Sequence, residues 1–127
     1  MTSSSPLINR IGQVFIPVRD IEAAATWYGA LLGLPVTEPT HENRIYDLPG
    51  VGAAGLALDG HHREFTADGP PRFMWRVDNL TAVRDHLRSL GIDLMMDITN
   101  VGSVDILQFR DPDGNLLMVS GPSELAT

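Results

Sequence analysis

At 127 residues the chain has the length of one ordinary domain, and its 43% apolar content is enough to bury a core. A net charge of −7 disfavours nucleic acid and anionic membrane as partners, because both need a basic face. Cysteine is absent, which removes disulfides, thiolate metal sites and cysteine nucleophiles, and all nine basic residues are Arg, which removes Schiff-base chemistry on a lysine.

Read from the start, MTSSSPLINR has no basic stretch leading into an apolar core, so it does not read as a signal peptide, and a cytoplasmic location is expected. No run reaches the roughly 20 apolar residues that cross a bilayer. Residues 11–18, IGQVFIPV, alternate and are rich in β-branched side chains, which predicts a strand. Asp20 then caps a helix whose Ile21, Ala24, Ala25, Tyr28, Leu31 and Leu32 recur at helical spacing, and Gly33 ends it. Three shorter strands are expected near Val36–Glu38, Arg44–Leu48 and Ala54–Asp59. The polar, Pro- and Gly-marked stretch 60–71 reads as a linker.

The order then repeats. Arg72–Val77 is a strand candidate, and Asn79 caps a second helix carrying Leu80, Val83, Leu87 and Leu90, which Gly91 stops. Strands follow near Ile92–Met96, Val104–Arg110 and Leu116–Ser120, the last two joined by the turn Asp111-Pro-Asp-Gly-Asn115. Setting Val18 on Val77 gives an offset of 59 and pairs Gln13 with Arg72. Setting Gly60 on Gly121 gives 61 and pairs Ala57 with Met118. An internal duplication is the simplest reading, with modules at about 10–60 and 71–121 in one domain spanning 1–127.

The residues Ile11-Gly-Gln-Val-Phe-Ile-Pro-Val-Arg-Asp-Ile21, Trp27-Tyr28, Leu32-Gly-Leu34, Arg76-Val-Asp-Asn-Leu80 and Phe109-Arg-Asp-Pro-Asp-Gly-Asn-Leu116 stand in register with that duplication. In this set the chain resembles the vicinal oxygen chelate superfamily of glyoxalases, bleomycin-resistance proteins and extradiol dioxygenases. The resemblance implies an α+β fold of two tandem βαβββ modules, each curled into a half-barrel, and a homodimer in which cups pair. It also implies four metal-ligand positions, on the first and last strand of each module. In this sequence those positions fall on Gln13, Arg72, Ala57 and Met118.

Only Gln13 has donor chemistry suited to a hard divalent ion. Arg72 is a fixed cation, Ala57 has no donor, and Met118 is a thioether that suits soft metals. No metal and no other cofactor is therefore expected. Strand alternation directs Gln13, Phe15 and Pro17, then Arg72, Met74 and Arg76, then Leu116, Met118 and Ser120 into the cup. The expected pocket consists of Gln13, Phe15, His41, Tyr46, Ala57, Arg72, Met74, Asp105 and Met118. It suits a small, partly aromatic or antibiotic-like ligand, as in drug-binding self-resistance proteins. Arg72 either clamps a ligand carboxylate or phenolate or forms a salt bridge to Asp105. The competing reading is an enzyme (lyase, isomerase or dioxygenase) with an altered metal site, or a metal-independent catalyst using Asp47, Asp105, His41 and Tyr46. His86 is expected to be solvated, and Trp27, Tyr28 and Phe109 to be core.

Overall fold

The computed structural model describes residues 5–38, 44–49, 54–61, 64–67 and 69–123. Strand β1 (Gln13–Pro17) leads into helix α1 (Ile21–Leu32), followed by β2 (Ile45–Leu48) and β3 (Gly55–Asp59). The second half runs β4 (Met74–Arg76), α2 (Leu80–Ser89), β5 (Leu94–Asn100), β6 (Val104–Arg110) and β7 (Leu116–Pro122).

Local chemistry sets the helix limits. Asp20 is extended, and its Oδ1 accepts from the backbone N–H groups of Glu22 and Ala23, both at 3.1 Å. Gly33 closes α1 at φ 68°, a left-handed conformation that side chains with a Cβ pay to adopt. Asn79 Oδ1 caps α2 on Ala82 N at 3.0 Å, and Gly91 follows its end at φ 73°.

Two sheets form, in strand orders β1-β3-β2 and β4-β7-β6-β5. In each, the first strand of the half lies parallel to the last, and their registers correspond. Phe15 faces Ala57 in the first sheet, and Met74 faces Met118 in the second. Those pairs are related by the offsets of 59 and 61 seen in the sequence.

The strand expected at Val36–Glu38 does not form; residues 34–38 are irregular. Tyr46 supplies the physical reason. Its hydroxyl oxygen accepts from Thr37 N at 2.8 Å and lies 3.5 Å from the Pro35 carbonyl, so this backbone is tied to a side chain instead of a strand ladder. Among the described residues the first half thus contributes three strands to the expected four.

One face of each sheet packs on the helices. Ile16, Val18, Tyr46, Leu48 and Leu58 of the first half and Leu107, Phe109, Leu117 and Val119 of the second join Tyr28, Leu31, Leu80 and Leu87 in a single core. Tyr28 and Phe109 are its largest fully buried members, as expected for core residues. Trp27 meets Tyr28 edge-on at 4.8 Å between centroids, and Trp75 stacks on Phe109 at 6.4 Å. His86 is exposed, yet its Nε2 lies 2.9 Å from the Leu31 carbonyl, so it links α2 to α1 rather than being merely solvated.

The turn at Asp111–Asn115 closes on itself through Asp111 N to Asn115 O at 3.0 Å and Gly114 N to Asp111 O at 2.9 Å. It also crosses to the first half. Asn115 Nδ2 donates to Pro17 O at 2.8 Å, and Tyr28 Oη donates to Asp111 Oδ2 at 2.7 Å.

Candidate functional site: the open sheet faces and a cavity beside Phe15

The faces turned away from the helices follow from register. Laterally paired residues in a sheet share a face. In the first sheet the open face therefore carries Gln13, Phe15 and Pro17, with Gly55, Ala57 and Asp59 beside them and Ile45 and Asp47 beyond. In the second it carries Met74 and Arg76, then Met118 and Ser120, then Gln108 and Ile106.

Phe15 and Met74 are 48% and 42% exposed, unusual for large apolar side chains in the body of a sheet. Beside the first face lies a cavity of about 290 Å³, lined by Phe15, Pro17 and Asp59 of that sheet, Phe65 of the linker and Arg72 ahead of β4. Of the residues expected to form a pocket, Gln13, Phe15, Ala57, Met74 and Met118 stand on this open side, and Arg72 lines the cavity with Phe15.

Three expectations need correction or fall elsewhere. Tyr46 is 3% exposed on the helix-facing side, because it pairs with core residue Leu58. Asp105 also lies on the helix-facing side: it pairs with Gly121, where a Cβ would meet that of Leu80 in α2 at 3.2 Å, and it is bonded by Asn100 Nδ2 at 3.0 Å. Asp105 is consequently on the far face from the cavity that Arg72 lines. His41 lies outside the described residues.

The ligand positions implied by the resemblance are a poor set for a divalent ion. Gln13 donates its amide to Asp47 Oδ1 at 3.0 Å. Ala57, fully buried between its neighbours Phe15 and Asp47, has no donor atom. Met118 presents sulfur, which itself receives the Gln108 amide at 3.6 Å. Among the described residues no three His, Asp or Glu side chains converge on one point. The described residues at these positions do not fit a hard metal ion.

Further polar contacts adjoin the cavity through Phe65 and Asp59, and most of them were invisible in the sequence. Phe65 belongs to the linker. Arg19 lies over its ring, 4.3 Å from the centroid, and donates Nη2 to the Phe65 carbonyl at 3.0 Å. The same guanidinium holds the distant turn through Nη1 to Asp113 Oδ1 at 3.2 Å and to Asp113 O at 3.1 Å. Asp59 Oδ1 accepts from His61 N at 2.9 Å and lies 2.7 Å from His61 Nδ1. A pairing across 46 positions leaves no periodic signal; only the pairing of β1 with β3 and the docking of the turn bring these groups together.

Two buried ionisable groups, Tyr28 and Asp111, meet in the contact between the halves. Burial raises the Tyr28 phenol far above its usual range, and the neighbouring Asp111 carboxylate adds to that shift. Burial also raises Asp111, while hydrogen bonds from Asn115 and Tyr28 pull it back.

Two mixed sheets, each backed on one face by helices and open on the other, define an α+β paired half-barrel protein. The Glyoxalase/Bleomycin resistance protein/Dioxygenase superfamily model matches residues 10–119, and the chain belongs to that superfamily. A glyoxalase/dioxygenase from Nostoc punctiforme is similar in structure with a TM-score of 0.72 at 17% identity, covering 97% of this chain and 100% of that one. A lactoylglutathione lyase from Agrobacterium tumefaciens gives 0.72 at 18% identity, over 92% and 96%. TnmS3, an antibiotic binding protein from Streptomyces sp. CB03234, gives 0.71 at 25% identity, over 91% and 98%.

Proposed function

We propose that this protein binds a small, partly aromatic molecule in the cup without a metal ion. The observation that carries the reading is Ala57, fully buried between Phe15 and Asp47 where a metal-dependent relative would need a donor. The open Phe15 and Met74 side chains, with Met118 beside them, offer an adaptable apolar surface for rings. The similarity to an antibiotic binding protein supports the same reading. The test is metal analysis of purified protein together with melting curves in Mn, Ni, Co, Zn and Fe. No stoichiometric ion and no rise in melting temperature are expected; one tightly bound ion per chain overturns the proposal.

A homodimer fits the charge of the two open faces. The first carries Asp47 and Asp59 and the second Arg76, so the face of one half complements that of the other in a second copy. Light scattering over a salt series tests it: a dimer that weakens with salt is expected, and a monomer at all concentrations overturns it. A cytoplasmic location is part of the same proposal, and no helix among the described residues is long and apolar enough to cross a membrane.

One pair favours a second reading, metal-independent acid–base catalysis. His61 Nδ1 faces Asp59 Oδ1 at 2.7 Å, which orients the ring and leaves Nε2 as the proton acceptor. Under this reading His61→Gln abolishes turnover of a cup ligand; under the binding reading the ligand is recovered unchanged from both proteins.

A further inference from the structure

We propose that the cavity between Phe15 and Phe65 takes a planar aromatic anion, an aryl carboxylate or phenolate, with its oxygen on Arg72; this rests on the metal-free binding reading above and names its ligand class. Two phenyl side chains and one guanidinium line a space of about 290 Å³, near the lower end for small-molecule sites and suited to one or two fused rings.

The charges in the lining are not equivalent. Asp59 has its Oδ1 committed to both nitrogen donors of His61. Arg72 is exposed and forms no ion pair among the described residues. A guanidinium is a rigid fork of donors that matches a carboxylate in two parallel hydrogen bonds, and it stays charged at every working pH. In a chain of net charge −7, an anion is repelled from the surface at large, so a cationic mouth on an aromatic cavity selects for one.

The walls differ as well. Phe15 stands on β1 and is fixed by the ladder to β3. Phe65 is on a linker and is held by Arg19, which is itself held by Asp113. Arg19 is thus a positioning residue: it sets the second wall without lining the cavity. An aromatic ring between two phenyl groups gains offset or edge-on contacts that an aliphatic acid of equal charge lacks.

The experiment is an NMR-detected titration of the full chain with 2-naphthoate and with its neutral counterpart 2-naphthalenemethanol. The expected result is saturable naphthoate binding with shifts at Phe15 and Phe65, weakened about tenfold or more in Arg72→Gln, in the range of a lost charge-assisted hydrogen bond. The alcohol is expected to bind wild type and Arg72→Gln within about twofold of each other, while Phe65→Leu and Arg19→Gln weaken both probes. Because Arg72 is exposed, the Gln variant should keep the wild-type amide spectrum, which the same titration records. If both probes bind wild type and Arg72→Gln alike, the anion assignment falls and the aromatic site stands. If neither probe binds wild type, the small-molecule reading falls with it.

Discussion

Tyr28 in α1 and Asp111 in the β6–β7 turn share a 2.7 Å hydrogen bond across 83 positions, with the phenol fully buried. Asp111 also receives the N–H groups of Asp113 and Asn115 and the Asn115 amide, at 2.8–3.0 Å, and that amide reaches on to Pro17 O. The pair therefore ties the turn of the second half to the helix and first strand of the first. It stands behind the cavity, and Arg19, one residue beyond the core position Val18, extends the same tie to Phe65 through Asp113.

Removing the hydroxyl tests that tie. Tyr28→Phe keeps the ring in the core but takes one donor from a buried carboxylate, a loss expected to cost about 1–3 kcal/mol. Urea unfolding followed by tryptophan fluorescence measures it. An unchanged midpoint would show that the bond contributes nothing net to stability.

The pH dependence follows from the same pair. The folded Tyr28 phenol titrates above its unfolded value, so its contribution is fully present below about pH 10 and declines as the pH rises past that value. Asp111 is also raised, so its own pKa shift favours the folded state at acid pH and this contribution is lost as the pH rises through its folded value. Stability curves of wild type and Tyr28→Phe are expected to converge above about pH 10. A constant gap across that range would contradict the assignment.

Ala57 and Met118 occupy corresponding positions but should not tolerate the same change. Ala57→Glu forces a carboxylate into a fully buried site beside Asp47, where desolvation and like charge combine, and a loss of about 3 kcal/mol or more is expected. Met118 is only half-buried on the open face, so Met118→Glu is expected to fold and to gain weak divalent-ion affinity. Thermal melts with and without Ni read both effects. Equal losses in the two variants would overturn the face assignment for Met118.

Ser120 offers the opposite sign. Its hydroxyl is fully buried and has no hydrogen-bond partner among the described residues. Ser120→Ala removes an unsatisfied polar group with little change of volume, so stability is expected to hold or to rise by up to about 1 kcal/mol. A clear loss in chemical denaturation would mean that the hydroxyl has a bonded partner in solution.

By itself the sequence determined the two helices and the order of the strands that form, though not the irregular path at Val36–Glu38 where it led to a strand, because the cues are local: alternation at Gln13–Pro17, caps at Asp20 and Asn79, and glycines at 33 and 91. It also carried the repeat, and with it the correspondence of Ala57 with Met118 that the strand registers reproduce. Only the tertiary structure decided which face each residue of the later strands presents. A shift of one residue reverses every side chain, so Tyr46 and Asp105 point to the core on registers that no local pattern specifies. The tertiary structure also placed Phe65, Arg19 and Arg72 around one cavity, since their encounter depends on where a linker and a turn come to rest. The duplication supplied the scaffold; packing between its halves supplied the site.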